Sequence, residues 1–366
     1  MILLEVTPNQ RQIISIFALI SSAHSSTSIP SEMIYQVAIE VSNNALDTHN
    51  AALKREVEKM EDEFDYSASE MLDKPLIKKN NWRLESEEAI GEGGHASVFL
   101  VARRNTKDEL KEQSIERFAL KAIKFKKIYN ECVKSLDREI NILKECDHPS
   151  LSKYITHFWS ESKKVFYIVL KYYKGGSLLD SLKKNKRFEE SEVKLYTAQI
   201  ANAIGILHKK NIIHRDIKPN NVLIDENENL VLSDFGVSKV LSETRETSTH
   251  NIGTRLYWAP EMFDEEKKSY TMAVDWWSLG VTVYQLLFGE APFTGGEKRN
   301  IYELMEQVRK APVSFTSEKC KGISEQAKDF INALLCKNAE DRLGSKNDIR
   351  EVLSHPFLEG IDLSNL

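Results

Sequence analysis

Two short segments constrain this chain more than any other feature: "HRDIKPNN", beginning at His214, and "DFG", beginning at Asp234. In this order and spacing, Asp216, Asn221 and Asp234 bring a base and two magnesium ligands into one compact hairpin. Each segment alone is a weak signal, because strings as short as "DFG" recur by chance. Together they predict phosphoryl transfer, in which Asp216 accepts the proton of a substrate hydroxyl while Asn221 and Asp234 bind Mg²⁺.

Residues 84–358, which contain these segments, resemble the eukaryotic-type protein kinase domain, whose members use ATP and Mg²⁺ to modify protein substrates. The resemblance implies an α+β fold with two lobes. The first is a small antiparallel β-sheet lobe with one main helix, and the second is larger and mainly α-helical. The chain of 366 residues then divides into an N-terminal extension over 1–83, the kinase domain over 84–358 and a short end over 359–366.

The segment "IGEGGHASVFLV" resembles the glycine-rich loop that covers the ATP phosphates in this family. Gly91 and Gly93 let the backbone approach the phosphates closely. Ala96 stands in place of the family's third glycine, which predicts a stiffer loop rather than lost binding. By itself the segment is equally consistent with an ordinary glycine-containing hairpin. The resemblance assigns ATP binding to Ile90, Gly91, Glu92, Gly93, Gly94, His95, Ala96, Ser97 and Val98.

The segment "FALKAIKF" alternates as a half-buried strand does, and its Lys121 matches the family's lysine for the α- and β-phosphates. The resemblance makes Glu139, in the helical segment "LDREINILKECDHPSL", the ion-pair partner of that lysine. Lys124 is an alternative candidate for the phosphate-binding lysine. Only Lys121 follows Ala-Leu, as the lysine of the family's "VAIK" pattern requires.

The segment "VFYIVLKYYKGGSLLDSL" is typical of a buried strand that runs through a glycine turn into a helix. By resemblance, Leu170 is the gatekeeper and residues 171–173 are the hinge, with Lys171 and Tyr173 among the ATP-binding residues. Further along, the resemblance pairs Glu261 with Arg342. It also makes Asp275, which stands among apolar residues, a tether for the backbone of the catalytic loop.

The residues on which catalysis depends in this family are all present: Lys121, Glu139, Asp216, Asn221 and Asp234. Lys218 is typical of kinases that act on aliphatic hydroxyls, because it places a positive charge beside the transferring group. These residues favour a serine/threonine protein kinase. The alternative is a pseudokinase that acts as a binding scaffold, and Ala96 is its only support. A small-molecule kinase is a weaker third possibility, because "GTRLYWAPE" resembles a peptide-docking segment.

Regulation and substrate choice are predicted from residues near the catalytic loop. Arg215 indicates an activation segment that a phosphate could order, with Thr249 favoured and Ser248 as a substitute. Arginine-selective relatives carry acids at three positions that are neutral in this chain: Ser177, Asn220 and Gln285. We therefore expect weak selectivity for arginine. Two roles are open for Asp180: it restores part of this selectivity, or it contacts only the ribose of ATP and leaves the selectivity unchanged. Val237, which follows "DFG", indicates a preference for threonine.

The segments "YTMAVDWWSLGV" and "DRLG…HPF" are most similar to the cyclic-nucleotide-dependent (AGC-like) kinases, although the long C-terminal tail of that group is not found before Leu366. Four cysteines without a CxxC pair favour a reducing, cytoplasmic location. Residues 1–80 hold 7 Lys and Arg against 12 Asp and Glu, so the net charge of -5 lies there. The sequence contains no basic run with interleaved aromatic residues, so we expect no nucleic-acid partner.

The N-terminal extension contains one short apolar run and one helical pattern. "IISIFALI", from Ile13, is far shorter than the ~20 residues that a membrane span needs, and we expect no span there. Apolar side chains then repeat in steps of three and four, as on a helix that self-associates or docks in cis on the kinase domain. This stripe includes Leu46, Leu53, Val57, Met60 and Phe64. Residues 66–81 are predicted to be a linker.

Overall fold

The computed structural model describes residues 67–93, 96–103, 116–125, 130–241, 253–264, 270–296, 300–315 and 322–361. The N-terminal stripe, Gly94, His95, Ser248 and Thr249 lie outside these ranges, so the expectations for them stay predictions. Within the described ranges, no helix is long and apolar enough to cross a membrane.

The small lobe is built on an antiparallel sheet. Its strands are β1 (Trp82–Leu84), β2 (Gly91–Gly93), β3 (Ala96–Arg103), β4 (Arg117–Lys124), β5 (Tyr154–Ser160) and β6 (Val165–Lys171). The order is β1-β3-β4-β6-β5, and β2 pairs with β3 as a hairpin. Because side chains alternate along a strand, Leu120 and Ala122 of β4 are buried on one face while Lys121 lies on the other. The main helix of this lobe is α2 (Asn130–Glu145).

Residues 68–84 cover the outer face of this sheet, so the prediction of a linker over 66–81 is wrong for its described part. A 3₁₀ turn (Ala68–Met71) and helix α1 (Lys74–Lys79) precede β1. Met71, Ile77 and Trp82 are buried in one cluster with Phe99 and Leu120 of the sheet. The charged "DKP" segment suggested a linker, but it is the helix start: Asp73 caps α1 and accepts a hydrogen bond from Leu76 N–H at 3.1 Å.

The side chains of Asp73 and Tyr167 also bond residues 71–73 to the sheet and to the turn after β5. The Asp73 carboxylate accepts hydrogen bonds from the hydroxyls of Ser160 at 2.6 Å and Ser162 at 3.0 Å. The buried Tyr167 hydroxyl accepts from Asp73 N–H at 2.9 Å and donates to the Met71 carbonyl at 2.5 Å. The backbone of residues 71–73 is therefore fixed to β6.

The large lobe is mainly helical, which confirms the two-lobed α+β fold. Its helices are α3 (Leu178–Asn185), α4 (Glu190–His208), α5 (Ala273–Phe288), α6 (Ile301–Lys310), α7 (Glu325–Leu334) and α8 (Ile349–Leu353). Helix α5 is buried on all sides except at Gln285, as expected for a central helix in a core that α4 and α7 also line. Two short antiparallel pairs lie beside the helices, β7 (Ile212–Ile213) with β10 (Lys239–Val240) and β8 (Val222–Ile224) with β9 (Leu230–Leu232).

We expect Ile77→Ala to lower the free energy of unfolding by about 3 kcal/mol, because it leaves a cavity where a side chain with 1% exposure packs on the sheet. Urea unfolding of the whole chain measures this change. The control is Lys78→Ala on the exposed side of the same helix, which should change stability by less than about 0.5 kcal/mol. Equal effects of the two substitutions would show that residues 68–84 do not stabilise the small lobe.

Candidate active site

The catalytic loop runs from His214 to Asn221, between β7 and β8, and a single carboxylate holds its start. Asp275 of α5 is fully buried and accepts hydrogen bonds from the backbone N–H groups of His214 and Arg215, both at 2.8 Å. This contact confirms the predicted tether. It also supports Arg215 in a left-handed conformation, with φ of 69°, which is strained for a residue with a side chain.

A buried histidine completes the surroundings of this carboxylate. His208, at the end of α4, contacts Asp275 through Nε2 at 3.0 Å and Asp348 through Nδ1 at 2.7 Å. Burial acts to lower the pKa of His208, but the hydrogen bonds and charges of the two aspartates outweigh it and raise the pKa to about 9. The same contacts hold the pKa of Asp275 below its ordinary value despite its burial.

The expected base, Asp216, is surrounded by donors. Its Oδ1 accepts from Thr254 N–H at 2.9 Å, and its Oδ2 accepts from Lys218 Nζ at 2.7 Å and Asn221 Nδ2 at 2.8 Å. Lys218 also donates to the Thr254 hydroxyl at 2.5 Å. These bonds fix the carboxylate in one orientation and connect it to the end of the activation segment.

A second charged cluster surrounds Lys121, which lies between two carboxylates. Its Nζ contacts Glu139 Oε1 of α2 and Asp234 Oδ1, each at 2.7 Å. Burial acts to lower the pKa of Lys121, but the negative charges of Asp234 and Glu139 raise it, so the lysine is a permanent cation. The positive charge of Lys121 is in turn the main reason that the pKa of Asp234 falls to about 2. Glu139 and Asp234 thus both contact Lys121, the residue that the sequence assigns to the phosphates.

The backbone at "DFG" is shaped to make these contacts. Asp234 has a φ of 67°, in the left-handed region. A Cβ at Gly236 would lie 3.4 Å from both the Asp234 Oδ1 and the Glu139 Oε2, which is tight. Phe235 is buried beside the ring of His214, with ring centroids 5.4 Å apart. A glycine at 236 therefore leaves room for the carboxylates that face Lys121.

The donor set fits a magnesium ion that is bound mainly by phosphates. Asn221 donates its amide hydrogens to the carbonyl and carboxylate of Asp216, which leaves its oxygen as the end that could bind a cation. The Asp234 carboxylate is ionised and its side chain is 46% exposed, so one oxygen can bind a metal while the other contacts Lys121. Two protein oxygens with water and phosphate completing the shell are typical of Mg²⁺. Within the described residues, no group of three or more His, Cys, Asp or Glu side chains could hold a metal.

The remaining described ATP-binding candidates line the sheet and the hinge. Gly91 pairs with Val98 across the β2-β3 hairpin, and Val98 pairs with Lys121 across β3 and β4, so the hairpin and the lysine are neighbours. In the hinge, Lys171 N–H bonds the Lys153 carbonyl at 2.9 Å, and the Tyr173 hydroxyl accepts from Lys153 N–H at 3.2 Å. These positions are consistent with a nucleotide between sheet and hinge.

The residues considered for regulation and substrate choice already have partners. Arg215 donates through Nε to the Val237 carbonyl at 2.5 Å and through a terminal nitrogen to the Tyr270 hydroxyl at 2.9 Å. The Asp180 carboxylate accepts from the backbone N–H of Ser177 at 3.2 Å and from its hydroxyl at 2.6 Å, in the capping box that begins α3. Asp180 is therefore engaged in holding its own helix.

Sequence reasoning missed two contributors to the site. Thr254 contacts both Asp216 and Lys218, and only its place in "GTR" could have drawn attention to it. His208 gave no local signal, since one histidine at the end of an apolar helix is usually a satisfied core residue. The predicted pair of Glu261 and Arg342 is confirmed, with two hydrogen bonds at 2.7 Å and 3.0 Å.

The fold and this arrangement of charged groups are those of a protein kinase. The family model for the protein kinase domain matches residues 84–358, and the chain belongs to this family. It is 36% identical over 280 residues to serine/threonine-protein kinase sgk-1 of Caenorhabditis elegans, an alignment that covers 76% of this chain and 56% of the relative. Mouse serine/threonine-protein kinase Sgk2 is 35% identical over 282 residues, an alignment that covers 76% of this chain and 71% of the relative.

A third relative lies outside the Sgk kinases. Myosin light chain kinase A of Dictyostelium discoideum is 34% identical, with 77% of this chain and 90% of the relative covered. The share of each relative that the chain spans thus varies from about half to nearly all. The two Sgk relatives support the similarity of the catalytic domain to the AGC-like group, and the domain is of the serine/threonine kinase type.

We expect the stability of this kinase to fall as the pH rises through about 9, because His208 then loses its proton. Its folded pKa lies above the ordinary value near 6.5, so the stabilisation is fully present below about pH 6.5 and amounts to roughly 3 kcal/mol. Urea unfolding from pH 6 to 10 measures it. His208→Gln should remove most of this pH dependence, whereas the exposed-site control Asp137→Asn should retain it. An unchanged slope in His208→Gln would contradict this assignment.

Proposed function

We propose that this chain transfers the γ-phosphoryl group of ATP to serine and threonine hydroxyls of proteins, with Asp216 as the base. The observation that carries the proposal is a pair of charged clusters, around Asp216 and around Lys121, that lie close enough for the charge of Lys218 to lower the pKa of Asp234. Asp216 has ordered partners at 2.7 to 2.9 Å, and Lys121 lies 2.7 Å from both Glu139 and Asp234. Fixed groups of this kind supply positioning and charge stabilisation, which account for most of the catalysis in phosphoryl transfer.

Each group has a separate task. Asp216 orients the acceptor hydroxyl and takes its proton, while Lys218 places a positive charge beside the transferring oxygens. Lys121, held by Glu139, contacts the α- and β-phosphates. Gly91 and the rest of the β2-β3 hairpin cover the phosphates, and hinge backbone groups near Lys171 and Tyr173 contact the adenine.

Asn221 and Asp234 would hold magnesium. When bound, Mg²⁺ neutralises phosphate charge and positions the phosphates for in-line transfer. The depressed pKa of Asp234, about 2, keeps its carboxylate ionised at any physiological pH, so this ligand is ready to bind the cation. The scaffold alternative has only Ala96 in its favour, and the described charged clusters are all intact.

Removing any of the charged groups should abolish most of the activity. We expect Asp216→Asn, Lys121→Met and Asp234→Asn each to lower kcat by about 100-fold or more, because each removes a general base, a phosphate contact or a metal ligand. Phosphate transfer from labelled ATP to a peptide library, with and without Mg²⁺, measures this. Asp147→Asn, at an exposed carboxylate, is the matched control and should retain native activity.

Full activity in Asp216→Asn would contradict the assignment of the base. Binding of ATP without any transfer by the native chain would instead support the scaffold alternative. Nucleotide affinity, measured for every variant, separates loss of binding from loss of chemistry.

Substrate choice is the finer part of the proposal. The neutral residues Ser177, Asn220 and Gln285 offer no carboxylate to a substrate arginine, and Gln285 Oε1 already accepts the Tyr257 hydroxyl at 2.6 Å. Asp180 is engaged by the capping box of α3, which supports its lack of influence on arginine binding. A guanidinium that gains no carboxylate cannot offset its lost hydration, so selectivity for arginine is weak.

We therefore expect a peptide array to show threonine phosphorylated faster than serine, in line with Val237, and little dependence on arginine ahead of the acceptor. Gln285→Glu should raise the rate on arginine-containing peptides several-fold, because a charge-assisted hydrogen bond contributes more than a neutral one. A native array dominated by arginine two or three positions before serine would contradict this expectation.

Three further expectations stay predictions. One is a phosphate on Thr249 or Ser248 that orders the activation segment. The second is self-association or docking in cis through the N-terminal stripe. The third is a cytoplasmic location. In the described residues Arg215 contacts Val237 and Tyr270, so binding a phosphate there would require Arg215 to exchange at least one of these partners.

A further inference from the structure

Arg255 is an exposed cation next to the catalytic base. It opens the 3₁₀ turn Arg255–Tyr257, directly after Thr254. Thr254 donates its backbone N–H to Asp216 at 2.9 Å, and the next Cα lies about 3.8 Å further along the chain. Residues of an extended peptide are spaced by about 3.3 Å. The Arg255 side chain can therefore reach the first few residues that flank an acceptor hydroxyl bound at Asp216.

The guanidinium of Arg255 has no carboxylate partner among the described residues. Among the described residues it contacts the ring of Trp258, whose centroid lies 5.9 Å from the guanidinium carbon. Trp258 is buried, so this ring is a fixed platform. Arg342 differs, because it is buried and bonded to both oxygens of Glu261. Arg255 thus keeps its charge and donors for an external ligand.

The charges around Asp216 favour an anion there. Asp216 is itself paired with Lys218, and Asp234 is paired with Lys121. Gln285, near the base, is neutral and already bonded to Tyr257. An acidic side chain that approached Arg255 would therefore meet one free cation and no unpaired carboxylate among the groups described around the base.

We propose that Arg255 selects substrates with a carboxylate or phosphate side chain close to the acceptor serine or threonine. This inference rests on the kinase activity proposed above. A guanidinium presents two parallel donors that match both oxyanions, and the exposed position avoids the desolvation cost of a buried pair. The preferred substrates are thus acidic or already phosphorylated sequences, a class distinct from the arginine-rich peptides that acidic pockets select.

The test is a set of matched threonine peptides that differ at one flanking position at a time, from three residues before to three after the acceptor. Each position carries alanine, aspartate, phosphoserine or lysine. We expect kcat/KM of the native chain to be roughly tenfold higher for the best acidic peptide than for its alanine counterpart. The aspartate and phosphoserine arms distinguish carboxylate from phosphate recognition.

Two substitutions assign the effect to Arg255. Arg255→Gln should reduce the acidic preference to less than about twofold. Arg255→Glu should reverse it, so that the lysine peptide becomes better than the aspartate peptide at the same position. A merely structural role for Arg255 would not exchange one charge preference for the other. The control is Arg350→Ala, at an exposed arginine of α8, which should keep the native preference.

The outcomes separate this inference from the proposed function. No phosphorylation of any peptide by the native chain would contradict the kinase activity itself. Phosphorylation without an acidic preference, or an acidic preference that persists in Arg255→Gln, would overturn only the assignment of Arg255. Should Arg255→Glu fail to fold, as judged by its melting temperature and ATP affinity, the comparison of the native chain with Arg255→Gln still decides.

Discussion

Asp275 is a carboxylate with no exposed surface, and the geometry of the catalytic loop depends on it. Burying an unpaired charge is costly, so such a group persists only where donors surround it. Here two backbone N–H groups, those of His214 and Arg215, and the ring of His208 are the donors. The contact joins the central helix α5 to the catalytic loop. It also holds Arg215 in a backbone conformation that an isolated chain would avoid.

A second constraint joins the two lobes across the cleft. Lys121 comes from the sheet, Glu139 from helix α2 and Asp234 from the large lobe, and all three meet within hydrogen-bond distance. Moving α2 away from the sheet would leave a buried lysine with one partner in place of two. The position of α2 and the state of the cleft are therefore coupled through one cation.

Arg342, which is buried, and Arg255, which is exposed, illustrate two uses of the same kind of side chain. Arg342 is fully buried and bonded to Glu261 and to the Ala273 carbonyl, so it fixes the end of the activation segment to the helical core. Arg255 lies close by in the sequence of that segment, yet it is exposed and supported only by the Trp258 ring. Its contact among the described residues is thus an aromatic ring, and its charge has no carboxylate partner there.

The sequence by itself indicated the α+β fold and the pairs Lys121–Glu139 and Glu261–Arg342 through its resemblance to the protein kinase family. That resemblance could be recognised because "HRDIKPNN", "DFG" and the Lys121 strand are motifs of that family, each within a short stretch of chain. The spacing also favoured Lys121 over Lys124. Only the tertiary structure decided that residues 68–84 pack on the sheet, where the sequence suggested a linker. The signal for that packing lies in Phe99, Leu120 and Tyr167, which are distant in sequence and need a partner only once the sheet has formed. The same holds for His208, whose protonation depends on two aspartates that lie 67 and 140 residues further along the chain.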